Sequence, residues 1–152
     1  NPQLTYGVIA FYSAQVDEIG RAMLESELTE RAENGRGWRI ADRWSTTRNS
    51  DGKIVERLRI GTVDAFQGKE FDVVFLSVTR SNELPGQTDE EQRRKFGHLM
   101  LENRLCVALS RPQRLLVIVG DLDFVQAEDA REPLRALRKF ADLCGGPYGI
   151  IR

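Results

Sequence analysis

Residues 60–81 constrain the fold more than any other part of the sequence. A short apolar strand is followed by a compact polar turn at residues 64–70, and then by an almost unbroken apolar run at residues 71–78. A continuous apolar strand is typical of a parallel sheet that is covered on both faces. Open α/β sheets bind ligands at the carboxyl ends of their strands. We therefore expect the polar turn at that edge, and we interpret it as part of a nucleotide site.

Length and composition exclude several classes of protein. The 152 residues carry a formal net charge of -1, so nucleic-acid binding would need a local basic patch rather than a global cationic field. Cys106 and Cys144 have no metal-ligand spacing and form no disulfide framework, which predicts a reducing, cytoplasmic location. No apolar run approaches the ~20 residues of a membrane span. The chain begins at Asn1, close to its first strand, and we expect a domain taken from a longer protein, with a cleavage product as the alternative.

The order of elements predicts an α/β fold. Apolar runs predict buried strands, and apolar residues at helical spacing predict the helices between them. Alternating strands and helices indicate a mainly parallel sheet with right-handed crossovers. The predicted strands cover residues 5–11, 58–63, 71–79 and 114–120, the predicted helices cover residues 13–30 and 100–110, and a last helix follows Pro133. Residues 82–97 are highly charged and are predicted to form a long loop.

Residues 34–56 interrupt this pattern. Turn sequences flank a segment in which Trp38 and Trp44 alternate with arginines, and residues 50–52 are predicted to turn a hairpin. Two interpretations remain open. Arginine and tryptophan together can bind a nucleic-acid strand through phosphate contacts and base stacking. Alternatively, the segment is an inserted hairpin whose tryptophans pack on the domain and whose arginines are solvated.

Four residues offer the chemistry that a nucleoside triphosphate needs. Gly68 allows backbone N–H groups to approach a phosphate, and Glu70 can accept hydrogen bonds from ribose hydroxyls. Arg104 and Arg111 lie seven residues apart, on nearly the same side of a helix, and an arginine can neutralise charge on a transferring phosphoryl group. The alternative is that both arginines pair with surface carboxylates.

The sequence also lacks one expected part. No G-x-x-x-x-G-K-[ST] phosphate loop is present, because Lys69 is followed by Glu70 rather than by serine or threonine. No paired acidic segment after a strand suggests a magnesium site, and we predict no metal ligands in this chain. A nucleotide site in this chain therefore needs a second half from another domain.

Three segments in order resemble motifs of a known family. Residues 7–16 (GVIAFYSAQV) are similar to helicase motif IV, residues 61–70 (GTVDAFQGKE) to motif V, and residues 104–111 (RLCVALSR) to motif VI. Together they resemble the second, C-terminal RecA-like domain of superfamily 1 helicases. The branch is the one that includes the RNA helicase of nonsense-mediated decay and related DNA helicases. The implied fold is a three-layer RecA-like α/β fold with a mainly parallel sheet, without a Walker A loop and with an inserted hairpin, over residues 1–152.

The resemblance implies a role for each matching residue. Arg111 closes motif VI and would be the arginine finger, Gly68 a contact near the γ-phosphate, and Glu70 the ribose contact. Arg104 would also belong to the nucleotide site, in a structural or coupling role. The implied contacts to a nucleic-acid strand come from Thr62, Ser13, Gln15, Thr79 and Arg80. ATP with Mg²⁺ would be shared with an N-terminal RecA-like domain of the same polypeptide, and the partner would be single-stranded nucleic acid.

The match departs from the family pattern at the end of motif VI. The family usually has Thr-Arg-Ala there, whereas this chain has Ser110, Arg111 and Pro112. Serine keeps the hydroxyl group, and the proline ends the helix early. The family often has asparagine where this chain has Cys106, which we expect to be a small buried side chain.

Two functions are therefore compared. The first is the second motor domain of an ATP-dependent helicase or translocase, inactive on its own. The second is a non-catalytic helicase-like module that binds nucleic acid or acts as a scaffold. A stand-alone nucleotide-binding enzyme is disfavoured, because no glycine-rich dinucleotide fingerprint follows any strand.

Overall fold

A computed structural model describes residues 3–33, 35–147 and 149–152. The chain divides into two compact units. The first unit contains Asn1–Ser77 and Val107–Val119, and the second contains Val78–Cys106 and Gly120–Arg152.

The elements follow one another in the order that the sequence predicts, with additions. Strands in the described residues are β1 (Tyr6–Ala10), β2 (Thr29–Arg31), β3 (Trp38–Ile40), β4 (Thr46–Arg48), β5 (Ile54–Glu56), β6 (Leu58–Thr62), β7 (Phe71–Val78) and β8 (Pro112–Gly120). The α-helices there are α1 (Ser13–Ala22), α2 (Asp42–Ser45), α3 (Asp89–Phe96), α4 (Glu102–Leu109), α5 (Leu122–Gln126) and α6 (Arg135–Cys144). Short 3₁₀ helices cover Val63–Phe66, Gly97–Met100 and Glu128–Ala130.

The first unit is built on a four-stranded sheet in the order β6-β1-β7-β8. Strand β1 pairs in parallel with β6 on one side and with β7 on the other, so the predicted, mainly parallel α/β sheet is confirmed. The central strands are buried, as their apolar sequences predict; Ile9, Val74 and Leu76 are completely inaccessible. Strand β8 was predicted to be buried, and this prediction is wrong. It lies at the edge of the sheet, where Leu115 and Val119 are exposed.

The first helix starts at Ser13, as predicted, but ends earlier than predicted. Tyr12 occupies the N-cap position, and no side chain caps the helix. The helix ends at Ala22 rather than near residue 30, because the chain turns through Glu27 at a φ of 53° and enters β2 at Thr29. Thr29 is buried and its hydroxyl donates to the Gly20 carbonyl oxygen at 2.7 Å, which secures this turn.

Two antiparallel hairpins, β2–β3 and β4–β5, occupy residues 29–56, where one inserted hairpin was predicted for residues 34–56. The turn predicted at residues 34–37 lies partly outside the described residues, since Asn34 is not among them. The Trp38 indole fills the space above Gly20, where an added Cβ would come within 1.9 Å of it. Trp44 packs edge-on against Tyr6, with the Arg57 guanidinium 4.0 Å from its ring centroid. Both tryptophans therefore pack within the first unit, as the packing interpretation predicts.

The second unit is mostly helical. The charged segment predicted to be a loop instead forms α3, which starts with a capping box between Thr88 and Glu91. Lys95 is buried and ion-paired with Asp129 at 2.6 Å, beside the rings of Phe96 and Phe124, which pack against each other at an angle of 54°. These contacts give the helix a buried side that its polar sequence does not reveal.

The region of α4 to α6 contains one residue whose exposure differs from expectation. Cys106, expected to be buried, is exposed on α4. Asp121 caps α5 by accepting a hydrogen bond from the Phe124 N–H at 3.1 Å, as its position after a strand predicts. Leu134, Leu137 and Ala141 form a buried stripe at α6, and Gly145 is the C-cap residue of that helix.

Candidate functional site

The segment between β6 and β7 runs from one edge of the sheet to the other. Ala10 pairs with both Thr62 and Ser77, so these three residues lie level at the carboxyl edge. Phe71 starts β7 six residues before Ser77, which places it at the amino edge, about 20 Å away along the strand. The expectation that the whole polar turn lies at the carboxyl edge is therefore wrong for its last residues, Gly68 to Glu70.

Aromatic packing and one glycine set this path. Phe66 and Val63 are buried under the sheet, and the Phe66 ring lies 5.5 Å from that of Phe71. Gly68 then has a φ of 72°, a conformation that glycine adopts without steric cost. A Cβ at this position would meet nothing within 4 Å. Glycine is therefore required by the backbone conformation, and the space beside it is open.

The Arg111 guanidinium makes three hydrogen bonds, one of them to this turn. Its Nη1 donates to the carbonyl oxygen of Lys69 at 3.2 Å, its Nε to that of Val107 at 3.0 Å, and its Nη2 to the Ser110 hydroxyl at 2.7 Å. The Phe71 N–H donates to the Arg111 carbonyl oxygen at 3.0 Å. Motif V and motif VI thus meet at the amino edge of the first unit, through residues that lie 42 positions apart in the sequence.

Glu70 lies at the same edge and has one anchored oxygen. The Gln113 amide donates to Oε2 of Glu70 at 3.0 Å. Among the described residues, no hydrogen bond to the other oxygen, Oε1, is found, and the side chain is exposed. Gln113 was missed by the sequence analysis; its position two residues after Arg111, at the start of β8, is the only signal that could have indicated it.

Glu56 connects the second hairpin to the motif V segment. Its carboxylate binds the Arg59 guanidinium and the Lys69 ammonium group, each at 2.9 Å. Arg59 also donates to the Ala65 carbonyl oxygen at 3.0 Å. Burial opposes ionisation of Glu56, but the hydrogen bonds from Arg59 and Lys69 outweigh it, so its pKa is lowered. The two basic side chains thereby hold both parts of the turn against β5.

A cleft of about 430 Å³ opens beside Glu70. Its walls come from the turn of the β4–β5 hairpin, from the amino end of β7 and from Gln113 and Arg114. Asp72 lies in this wall and accepts from the Thr5 N–H and hydroxyl at 2.9 Å each, and Arg114 binds its other oxygen at 2.7 Å. Burial would raise the pKa of Asp72, but these hydrogen bonds and Arg114 lower it overall.

The carboxyl edge of the same sheet carries a second polar group. Thr62 ends β6, and Ser13 is exposed just after β1. The Gln15 amide donates to the Ser77 hydroxyl at 3.3 Å. Thr62, Ser13 and Gln15, all predicted from motifs IV and V, therefore share this edge. Ser77 was missed, although a hydroxyl near the end of an apolar strand marks it in the sequence.

The remaining predicted site residues lie in the second unit. Thr79 is exposed immediately after β7. Arg80 donates to the carbonyl oxygens of Arg94 and Lys95, at 2.6 and 3.3 Å, at the end of α3. Nη1 of Arg104 lies 3.3 Å from Nδ1 of His98. Arg80 and Arg104 therefore have structural contacts within their own unit.

The described residues contain neither a helix that could cross a membrane nor a cluster of side chains that could hold a metal ion. None of the helices in residues 3–33, 35–147 and 149–152 is long and apolar enough to cross a membrane. Across the same ranges, no group of three or more histidine, cysteine, aspartate or glutamate side chains is arranged to hold a metal ion.

Comparison with known proteins identifies the family. A family model described as "AAA domain" matches residues 2–123. The chain is 34% identical to DNA polymerase alpha-associated DNA helicase A of Saccharomyces cerevisiae, over 82% of the chain and 13% of the relative. It is 32% identical to the helicase required for RNAi-mediated heterochromatin assembly 1 of Schizosaccharomyces pombe, over 77% of the chain and 8% of the relative.

A third relative belongs to the branch that the motifs resemble. Regulator of nonsense transcripts 1 of Caenorhabditis elegans is 32% identical over 67% of the chain and 9% of the relative. The chain thus spans about a tenth of the length of these relatives. The motifs, the parallel α/β sheet and these matches agree, and the chain belongs to the C-terminal RecA-like domain family of superfamily 1 helicases, in the branch of the nonsense-mediated-decay helicase.

Proposed function

We propose that this domain is the second motor domain of an ATP-dependent nucleic-acid helicase or translocase. One observation carries the proposal: Arg111 is held against the motif V turn by its hydrogen bond to the Lys69 carbonyl oxygen. An arginine fixed beside an open glycine turn is suited to meet a phosphate that arrives from outside the domain. The helicase names of the relatives support the same assignment.

The amino edge supplies one half of an ATP site. Arg111 is the arginine finger, the backbone at Gly68 contacts the γ-phosphate, and Oε1 of Glu70 accepts a hydrogen bond from a ribose hydroxyl. We assign Arg104 a structural or coupling role within the second unit. The phosphate loop and the Mg²⁺ ligands come from an N-terminal RecA-like domain of the same polypeptide. Mg²⁺ would neutralise charge on the phosphates when ATP is bound there.

The carboxyl edge supplies part of the strand-binding surface. Thr62, Ser13 and Gln15 contact the backbone of single-stranded nucleic acid. Thr79 and Arg80, in the second unit, are further strand contacts of this proposal. The backbone of residues 63–70 connects the two edges, which lie about 20 Å apart. A movement of the motif V turn on ATP binding or hydrolysis is therefore transmitted to Thr62 through covalent connections, which supports the coupling of turnover to movement.

The test is Arg111→Ala in the intact protein. We expect ATP turnover to fall by about 10³-fold or more, the usual effect of losing an arginine finger, while ATP binding stays within a few-fold of wild type. Arg21→Ala is the matched control, because Arg21 is an exposed arginine on α1 whose ion pair with Glu18 is at the surface. Turnover near wild type in Arg111→Ala would contradict the motor assignment and favour a scaffold module.

A further inference from the structure

The glycine turn of motif V has little packing of its own. Gln67, Gly68 and Lys69 are exposed, and a Cβ at Gly68 would meet nothing within 4 Å. The buried part of the segment ends at Phe66. Lys69, whose carbonyl oxygen accepts the hydrogen bond from Arg111, therefore lies in a stretch that the apolar core does not hold. The position of this stretch depends on its polar contacts.

Each polar group of Lys69 has a partner. Its N–H donates to the Phe66 carbonyl oxygen at 3.1 Å, and its own carbonyl oxygen accepts from Nη1 of Arg111 at 3.2 Å. Its ammonium group binds Oε2 of Glu56 at 2.9 Å. Glu56 is the last residue of β5, so this ion pair fastens the glycine turn to the β4–β5 hairpin.

The same carboxylate also reaches the start of the turn, through Arg59. This arginine binds Glu56 twice, from Nε to Oε2 and from Nη2 to Oε1, both at 2.9 Å, and its Nη1 donates to the Ala65 carbonyl oxygen at 3.0 Å. Bidentate pairs of this kind fix orientation as well as distance. An isolated ion pair at a surface holds geometry weakly, but the Glu56 side chain is only 33% exposed and binds two cations. Glu56 is thus connected to the chain on both sides of Gly68.

We propose that Glu56 is a positioning residue for Arg111. It holds Lys69, and the Lys69 carbonyl oxygen in turn orients the Arg111 guanidinium, so the β4–β5 hairpin acts on ATP turnover without touching the nucleotide. This rests on the proposed function, and it assigns the hairpin a role in the rate of hydrolysis. Glu56→Gln removes the charge that holds Lys69 but keeps the size of the side chain. The turn is then released, and Arg111 loses one of the three acceptors that orient it.

The experiment measures kcat and KM of ATP hydrolysis by the intact protein with Glu56→Gln. Misplacing a group that acts on the reacting phosphate costs rate rather than binding, so we expect kcat to fall by about 10-fold or more while KM stays within about threefold. Glu30→Gln is the matched control, because Glu30 is ion-paired with Arg39 in the β2–β3 hairpin and is exposed to a similar degree, 39% against 33%. It loses an ion pair of the same kind away from motif V, and its kcat should equal that of wild type.

A double-mutant cycle separates positioning from a general structural effect. Because Glu56 acts through Arg111, Glu56→Gln should lower the rate by less than about twofold in a protein that already carries Arg111→Ala, measured in single turnovers. Wild-type kcat in Glu56→Gln, an equal decrease in Glu30→Gln, or an equal decrease with and without Arg111→Ala overturns this proposal and leaves the motor assignment in place. Wild-type turnover in Arg111→Ala contradicts the proposed function itself, a result distinct from these three.

Discussion

Nη1 of Arg111 lies 3.2 Å from the carbonyl oxygen of Lys69, a residue 42 positions earlier in the sequence. The same guanidinium also binds the Val107 carbonyl oxygen and the Ser110 hydroxyl. Three donors of one planar group are thus used at once, which orients the side chain without any ligand.

This relationship predicts the effect of a conservative substitution. Arg111→Lys keeps the charge but has one nitrogen, which cannot replace the three contacts, so we expect ATP turnover to fall nearly as far as in Arg111→Ala. Steady-state ATP hydrolysis by the intact protein is the measurement. Arg21→Lys, on the exposed surface of α1, should retain wild-type turnover. A lysine variant with more than about a tenth of wild-type activity would mean that charge alone is sufficient.

Gly68→Ala should lower stability through backbone conformation alone. At a φ of 72° an L-residue costs roughly 1–2 kcal/mol, and no neighbouring atom lies within 4 Å of the added Cβ. The free energy of unfolding by urea should therefore drop by about that amount. Gly145→Ala is the control. Gly145 has a φ of -73°, and an added Cβ there would meet its neighbours only at van der Waals distance, so the stability of this variant should not decrease. A loss equal to that of Gly68→Ala would argue against conformational strain.

Asp72→Asn tests the pH dependence of the contact between β1 and β7. Because the pKa of Asp72 is lowered by folding, its ionised form stabilises the native state at pH values above the unfolded pKa of about 3.9. This stabilising contribution is lost as the pH falls through the pKa of Asp72 in the folded state, which is lower. We expect Asp72→Asn to be less stable than wild type by about 1–3 kcal/mol at pH 7.

The difference in the free energy of unfolding between Asp72→Asn and wild type should shrink below about pH 4. Urea unfolding at pH 7 and at pH 3 measures it. Asp17→Asn, on the exposed face of α1, should leave stability unchanged at both values. A constant difference between Asp72→Asn and wild type at both pH values would show that ionisation of Asp72 does not contribute.

Thr62→Val tests the carboxyl edge. Valine has the same shape but no hydroxyl, so we expect the affinity for a single-stranded oligonucleotide to fall by about 2- to 10-fold, as for one lost hydrogen bond. ATP affinity should not change, since the proposed ATP site lies at the amino edge, at the other end of the strands. Fluorescence anisotropy with a labelled oligonucleotide gives the affinity. Thr46→Val, at an exposed position of strand β4, is the control. If both substitutions lowered the oligonucleotide affinity equally, Thr62 would not be a contact to the nucleic acid.

Much of the sheet can be predicted, because its central strands are continuous apolar runs in the sequence. The sequence predicts β1, β6 and β7 nearly to the residue, and the motif resemblance predicts that residues 61–70 and 104–111 act together. The roles of Arg111, Gly68 and Glu70, the domain limits and the cytoplasmic location stay predictions. The helicase family itself is confirmed by the matching relatives.

The differences come from contacts that are distant in sequence. Helix α3 has no apolar stripe, and its burial depends on Lys95 reaching Asp129; only the capping box at Thr88 and Glu91 indicates it in the sequence. The end of α1 depends on the unusual φ of Glu27, for which no residue pattern exists. The path of the motif V segment depends on Phe66 packing beneath the sheet against Phe71, a tertiary contact that no local pattern specifies.

The path of residues 63–70 has a consequence for how chain length can vary in this family. Both ends of the segment are fixed, at Thr62 by the register with Ala10 and at Phe71 by the hydrogen bond to Arg111. One residue inserted or deleted there would displace the glycine turn from Arg111 or shift β7 against β1, turning its buried side chains to the wrong face. We therefore expect insertions and deletions among relatives to fall in the two hairpins and in the segment before α3, and to be absent from the eight residues that join the two edges of the sheet.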